Sequence, residues 1–263
     1  YVEVVDYPLA HAQTKRDIDN FAFPDPDAPG RYRDAESLVK KYHDEYLVFG
    51  DIEVTVFSLG HQLAGLEKLL VDMMMETEYV IPLFRACAEF QTEIGLRLID
   101  KGVDAIWFGD DFGTQQSLIM DPDTFRKQLK PFYTEMIRRF KEKKPDIIPI
   151  LHCDGAVSEL LKDIHEMGFE VFNPVQPDVP GHHPRDMKEG FGDLFSFWGA
   201  IDQQELLPRG SDEELERDIK EKIGILGEGG GYMISPAHII QNDVSPERVL
   251  KFIDLCYKHG KIR

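Results

Sequence analysis

Short, largely apolar runs alternate along this chain with longer stretches whose apolar residues recur every three to four positions. The first kind of run predicts strands buried on both faces, and the second predicts amphipathic helices. Leu47-Val48-Phe49 and Val54-Thr55-Val56-Phe57 read as the first strand region, and the spacing of Leu63, Leu66, Leu69, Leu70 and Met73 predicts a helix after it. A second helix runs from Glu78 to Lys101 and stops at Gly102, where a C-terminal glycine is expected. Val103 to Phe108 is the next strand and leads into Gly109-Asp110-Asp111-Phe112-Gly113. A helix then starts at Asp121-Pro122 and runs to about Lys143, with proline in the first turn where its missing donor does no harm.

Ile147 to Leu151, Phe169 to Asn173, Phe195 to Ala200 and Gly231 to Ile234 complete six strands. Between and after them come a helix from Val157 to Met167, one opened by the capping box Ser211-Asp212-Glu213-Glu214, and a last one begun by Ser245-Pro246-Glu247. Pro8 to Gly30 is rich in Pro and Asp without apolar periodicity and reads as an extended arm. The expected organisation is an N-terminal arm and first helix over 1–46, followed by one catalytic domain over 47–263.

Strand and helix in alternation imply an α/β fold with a parallel sheet. Asp110-Asp111, His152 and Asp154, Gln176, Asp202-Gln203 and His238 all fall just past the C-terminal ends of strands. A (β/α)8 TIM-type barrel would gather such residues at one mouth, whereas an open sheet would spread them. Six strands are two short of a barrel, so the remainder is expected in a leading part ahead of Tyr1-Val2-Glu3 or in segments the pattern does not reveal.

A formal charge of -18 over 263 residues gives a field of the wrong sign for nucleic acid or an anionic membrane. The basic run Arg138 to Lys144 sits at a helix end, where cations complement the dipole. Cys87, Cys153 and Cys256 are too few and too scattered for a disulfide framework, which suits a cytoplasmic protein. No apolar run is long enough to span a bilayer.

His152 and Asp154 are two apart at a strand end, so both can aim at one point, and Gly155 lets the chain turn away. With His238 after Ser235-Pro236-Ala237, they form a candidate set for a divalent ion such as zinc. The same spacing fits a hydrogen-bonded core histidine followed by an aspartate that caps the next helix. Cys153 points the other way and reads as core. Asp110 and Asp111 are candidate catalytic carboxylates, though one of them can equally cap a turn. His61, Gln115, Gln176 and Asp202 are candidate substrate contacts. His182-His183 reads as a solvent-exposed loop pair, Met73-Met74-Met75 as core packing, and Gly229-Gly230-Gly231 lacks the strand-to-helix setting of a phosphate loop.

Asp110-Asp111-Phe112-Gly113-Thr114-Gln115, Met120-Asp121-Pro122, Lys130-Pro131-Phe132 and Leu151-His152-Cys153-Asp154-Gly155 occur in that order. Gly199-Ala200-Ile201-Asp202-Gln203 with Leu207-Pro208, Gly229-Gly230-Gly231-Tyr232, Ser235-Pro236-Ala237-His238 and Val244-Ser245-Pro246-Glu247 follow. In order and spacing this series resembles the uroporphyrinogen decarboxylase superfamily, which includes decarboxylases and corrinoid-dependent methyltransferases. The resemblance implies a barrel enzyme. Methyltransferase members carry His-x-Cys-Gly and a later Cys that bind zinc and activate a thiol; here those cysteine positions are Asp154 and His238. The altered set implies a metal site without thiol activation, and hence a methyltransferase that moves a methyl group from a small methylated donor to a corrinoid protein. Decarboxylases of the superfamily use an Arg-Gln-Ala-Gly-Arg segment that this chain does not show, so haem-pathway decarboxylation is the alternative and a non-catalytic barrel the second alternative.

Overall fold

The computed structural model describes residues 4–260, so Tyr1-Val2-Glu3, on which the expectation of a leading segment rests, lies outside them. Two compact units divide the chain. The first runs to Asp111 and takes in Ile119–His152 and Lys162–Phe169; the second holds Phe112–Leu118, Cys153–Leu161 and the chain from Glu170.

In the first unit, strands β1 (Phe49–Glu53), β2 (Ala105–Gly109) and β3 (Ile148–His152) pair in parallel. Helices α1 (Lys15–Asp19), α2 (Arg33–Tyr42), α3 (Phe57–Ala64), α4 (Leu66–Met74) and α5 (Val80–Asp100) come before β2, α6 (Pro122–Gln128) and α7 (Lys130–Lys143) before β3, and α8 (Leu161–Met167) after it. Its core is aromatic: Phe108 meets Phe169 edge-on at 4.9 Å and Phe140 at 5.8 Å, all three fully buried. Gly95 lets α5 and α7 close up, since a Cβ there would fall 2.3 Å from the Phe140 ring.

Several sequence expectations are corrected here. The first strand is Phe49–Glu53, which shares only Phe49 with the expected runs Leu47 to Phe49 and Val54 to Phe57. Val54 takes a positive φ of 62°, and the Val54 and Thr55 N–H groups both donate to the Gly109 carbonyl, which ends the ladder and sends Phe57 into α3. Gly65, at φ 90°, splits the first expected helix into α3 and α4. Pro131 has no N–H to give the Lys127 carbonyl, so the helix expected from Asp121 to Lys143 breaks at Leu129. The stretch from Pro8 to Gly30 contains the short α1, whose Thr14 and Asp17 form a capping box. Met73 is core, but Met74 and Met75 are 80% and 74% exposed.

The second unit carries β4 (Val171–Val175), β5 (Ser196–Ile201) and β6 (Tyr232–Pro236), again parallel neighbours, with α9 (Pro184–Phe191), α10 (Leu206–Arg209), α11 (Asp212–Leu226) and α12 (Pro246–His259). Ile201, Leu207, Leu215, Ile219, Phe252 and Leu255 form one cluster that fastens α11 and α12 to the sheet. The expected capping box is present, with Ser211 and Glu214 bonded reciprocally, and the Ser245 hydroxyl accepts from the Arg248 N–H to open α12. Helix α9 begins where a loop was expected, and its approach takes His182 into the interior. Six strands are found among the described residues, the number visible in the sequence.

Candidate metal centre

Parallel register sets Glu53, Gly109 and His152 in one row at the C-terminal ends of β1, β2 and β3. His152 is half-buried, and its imidazole stacks on Trp107 at 5.4 Å with 25° between the planes. The Asp110 N–H donates to the His152 carbonyl at 3.1 Å, which ties the residue after β2 to the end of β3.

Asp110 is 1% exposed. Its carboxylate accepts from the Val56 N–H at 2.8 Å, the Ser58 N–H at 2.5 Å and the Tyr133 hydroxyl at 2.5 Å. It therefore caps α3 from across the sheet, satisfying donors that the first turn of a helix leaves without partners. Burial pushes its carboxyl up to about 6, against the pull of those hydrogen bonds. Asp111 is exposed and its charge acts on His61 in α3, opposing the burial that lowers the imidazole. The His61 ring meets Phe57 edge-on at 5.5 Å.

In the second unit, the Asp154 carboxylate lies 3.4 Å from His238 Nε2. His238 follows β6, and its own N–H donates to the Gln203 side chain beyond β5. The Ile239 N–H donates to His238 Nδ1 at 2.7 Å, so Nδ1 offers a lone pair and the neutral ring carries its proton on Nε2, facing Asp154. Gly155 turns the chain with φ 88°, and its backbone abuts that of Gly113: a Cβ would fall 2.6 Å from the Gly113 carbonyl carbon. Gln176 accepts from the Gly155 N–H at 3.1 Å and donates to Gln115 at 3.3 Å, so these two residues brace the turn that follows Asp154. Cys153 is fully buried, with Sγ accepting from the Phe112 N–H.

Asp202 receives the N–H groups of Gln204, Glu205 and Leu206 at 2.7, 3.2 and 3.0 Å and thus caps α10. His182 is 0% exposed, not in solvent as its loop setting suggested. Its Nε2 accepts from the Val157 N–H at 3.3 Å. Residues that the sequence pattern passed over are the carboxylates Asp51 and Glu53 on β1; Gln203, expected only to lie past a strand end, holds His238. The alternation in Phe49-Gly50-Asp51-Ile52-Glu53, with the polar residues on one face, was the available signal; it lay between two runs read as strand.

A family model described as Uroporphyrinogen decarboxylase (URO-D) matches residues 7–259. The chain belongs to this family. The URO-D family is one of (β/α)8 barrels, so the six parallel strands belong to the fold class expected from the sequence. No curated protein matches the chain. Among solved structures, a methyltransferase from Methanosarcina mazei is 18% identical with a TM-score of 0.66, over 85% of this chain and 62% of that one. This URO-D family chain thus spans less than two thirds of the length of that neighbour, and the likeness is one of fold. A dihydropteroate synthase from Anaplasma phagocytophilum, with bound 6-hydroxymethylpterin-monophosphate, is 16% identical over 80% of this chain and 73% of that one. Its TM-score of 0.45 carries no argument. Among the described residues, no helix is long and apolar enough to cross a membrane.

Proposed function

We propose that this URO-D family chain is a methyltransferase that moves a methyl group from a small methylated donor to a corrinoid carried by a partner protein, with a divalent metal held by His152, Asp154 and His238. The observation that carries the reading is the approach of Asp154 to His238, at 3.4 Å, just past β3 and β6. His152 joins them through the chain itself, since two trans peptide units reach at most about 7 Å. Each of the three side chains offers one ligand atom, and the three form a candidate ion-holding group. Two imidazoles and a carboxylate suit zinc and leave coordination positions open for substrate; iron(II) accepts the same donors.

His152, Asp154 and His238 would hold the ion, and Gln203 keeps hold of the His238 backbone beside it. A bound ion would supply Lewis acidity to an oxygen or nitrogen of the donor.

The protein's own groups do the rest. Burial keeps the His61 imidazole neutral and able to accept a proton at a ring nitrogen, and the Asp111 carboxylate stabilises the imidazolium that results. Gln115 and Gln176 line the donor pocket in this reading while bracing the Gly155 turn. Asp110 and Asp202 act as positioning residues, through α3 and α10. The three free cysteines suit a reducing cytoplasm.

Metal analysis of the protein as purified, beside His152→Ala and Asp154→Ala, tests the centre. About one equivalent in the wild type and loss in both variants is expected; less than about a tenth of an equivalent in unchelated protein refutes it. Methylation of a cobalt(I) corrinoid, followed by its visible spectrum, tests the transfer. Uroporphyrinogen turnover in its place would make the chain a decarboxylase.

A further inference from the structure

Helix α10 is a single turn, Leu206–Arg209, and one turn fixes too many backbone angles for too few hydrogen bonds to hold its shape alone. Its place is set from outside. At its start, the Asp202 carboxylate collects the N–H groups of Gln204, Glu205 and Leu206. At its far end stands Arg248, from the first turn of α12. Arg248 Nε donates to the Leu207 carbonyl at 2.9 Å, and one terminal nitrogen is shared among the carbonyls of Gly210 at 2.7 Å, Leu206 at 3.1 Å and Ser211 at 3.3 Å. The other terminal nitrogen meets the Asp212 carboxylate at 2.8 Å. With 12% of its side chain exposed, this guanidinium has exchanged most of its water for carbonyls that the end of a helix leaves without partners.

The same two segments of chain meet again at His238. The Ala237 N–H donates to the Ile201 carbonyl at 2.8 Å, and the His238 N–H donates to the Gln203 side chain. The connection from β6 to α12 is thus fastened twice to the connection from β5 to α11, by Gln203 at one end and by Arg248 at the other. Between these points Ile240 and Val244 pack in one cluster with Leu206 and Leu207. Gln203 lies between Asp202 and α10, so a turn that shifts takes Gln203 with it.

We propose that Arg248 is a positioning residue for the metal centre: by clamping the far end of α10 it fixes Gln203, and Gln203 fixes His238 against Asp154. The inference rests on the metal-dependent methyltransferase reading and adds to it a residue that touches neither ion nor donor. Asp202 holds only the start of the turn, to the end of its own strand, and gives no grip on α12. Arg248 supplies that grip. Its planar fork presents donors on separate nitrogens in a fixed geometry, which the single ammonium of a lysine does not reproduce. The competing role for an arginine at a helix start is a plain ion pair with Asp212, which would leave His238 untouched. Lys251 plays that role, meeting the same carboxylate at 2.7 Å from a side chain 44% exposed.

The test is a zinc competition titration of the whole chain, with Arg248→Lys, Gln203→Ala and the double variant beside the wild type, and Lys251→Ala as the ion-pair control. Arg248→Lys and Gln203→Ala are each expected to weaken zinc at least about tenfold, the usual cost of losing a group that orients a ligand. Both act through one contact, so the double variant should be weaker than Gln203→Ala by no more than about threefold, where independent effects would multiply to about a hundredfold. Lys251→Ala should bind zinc as the wild type does. Amide hydrogen exchange reads the same clamp without metal: the His238 N–H should exchange at least about tenfold faster in folded Arg248→Lys. Arg248→Gln, which keeps one donor nitrogen, serves as a second variant if the lysine variant does not fold. Wild-type zinc affinity in the Arg248 variant, multiplied losses in the double variant, or unchanged exchange at His238 overturns the proposal. Its failure is separable from that of the metal-centre reading. Faster His238 exchange in the variant of a chain that binds no zinc would support the clamp and remove the centre. Zinc bound alike by all the proteins would leave the centre and remove the clamp.

Discussion

His182 provides the sharpest test of the fold's energetics. The ring is wholly inside, edge-on to Phe172 at 5.7 Å, and its Nε2 accepts the Val157 N–H. Its proton therefore sits on Nδ1, a buried atom with no hydrogen-bond partner among the described residues. Burial is the cause that lowers its pKa, from 6.5 to about 4. Above pH 6.5 both folded and unfolded chains carry the ring neutral, and it contributes no pH dependence. Below 6.5 the unfolded chain takes up a proton that the folded chain refuses until about pH 4, so stability falls as the pH falls. At 1.36 kcal/mol per unit, the shift from 6.5 to about 4 is worth roughly 3 kcal/mol, most of it already lost at pH 4.5. His182→Gln keeps an acceptor for Val157 and removes the titration. Thermal melts of both proteins at pH 7.5 and 4.5 isolate this group, because the other carboxylates and histidines are common to both. At pH 7.5 the variant should be less stable by about 1–2 kcal/mol. At pH 4.5 the order should reverse or close, a relative shift of roughly 5–10 °C in melting temperature. A wild-type-minus-variant difference that does not change with pH would refute the burial argument.

Two further outcomes are expected. Asp110→Asn turns an amide NH2 toward a carboxylate's set of donors and leaves one backbone N–H of α3 without an acceptor, a cost of about 1–3 kcal/mol at pH 7 in denaturant unfolding. Because the folded carboxyl titrates at about 6, above its ordinary 3.8, the wild type loses stability from this group as pH rises from 4 through 6; the gap between the two proteins should widen on acidification by up to about 3 kcal/mol, and a constant gap counts against the assignment. Gly155→Ala forces a side chain onto a positive φ and into the Gly113 backbone, and should cost about 2 kcal/mol or more and displace Asp154, whereas Gly224→Ala, inside α11 with open space around it, should gain up to about 1 kcal/mol in the same melts.

What the sequence determined by itself was local. Five of the strands follow from apolar runs, and β2 to β5, largely buried on both faces, need no polar position, while the starts at Asp121, Ser211 and Ser245 follow from caps that close within three residues. The neighbourhood of His152 and Asp154 was legible for the same reason, being fixed by a two-residue separation along one chain. Everything that depends on a partner far away in sequence had to come from the tertiary structure. Asp110 and Asp202 look alike past their strands as candidate contacts, yet each is spent on the donors of a helix start. Solvent was the expectation for His182 and core for Met74 and Met75, because polarity is written in the residue while burial is decided by which helix packs over it. Glu53 reaches the Trp107 indole only because the register of β1 on β2 brings Gly109, with no side chain, between them. His238 could be named from the motif, but its tautomer is set by one backbone N–H, from Ile239, whose position only the folded chain defines.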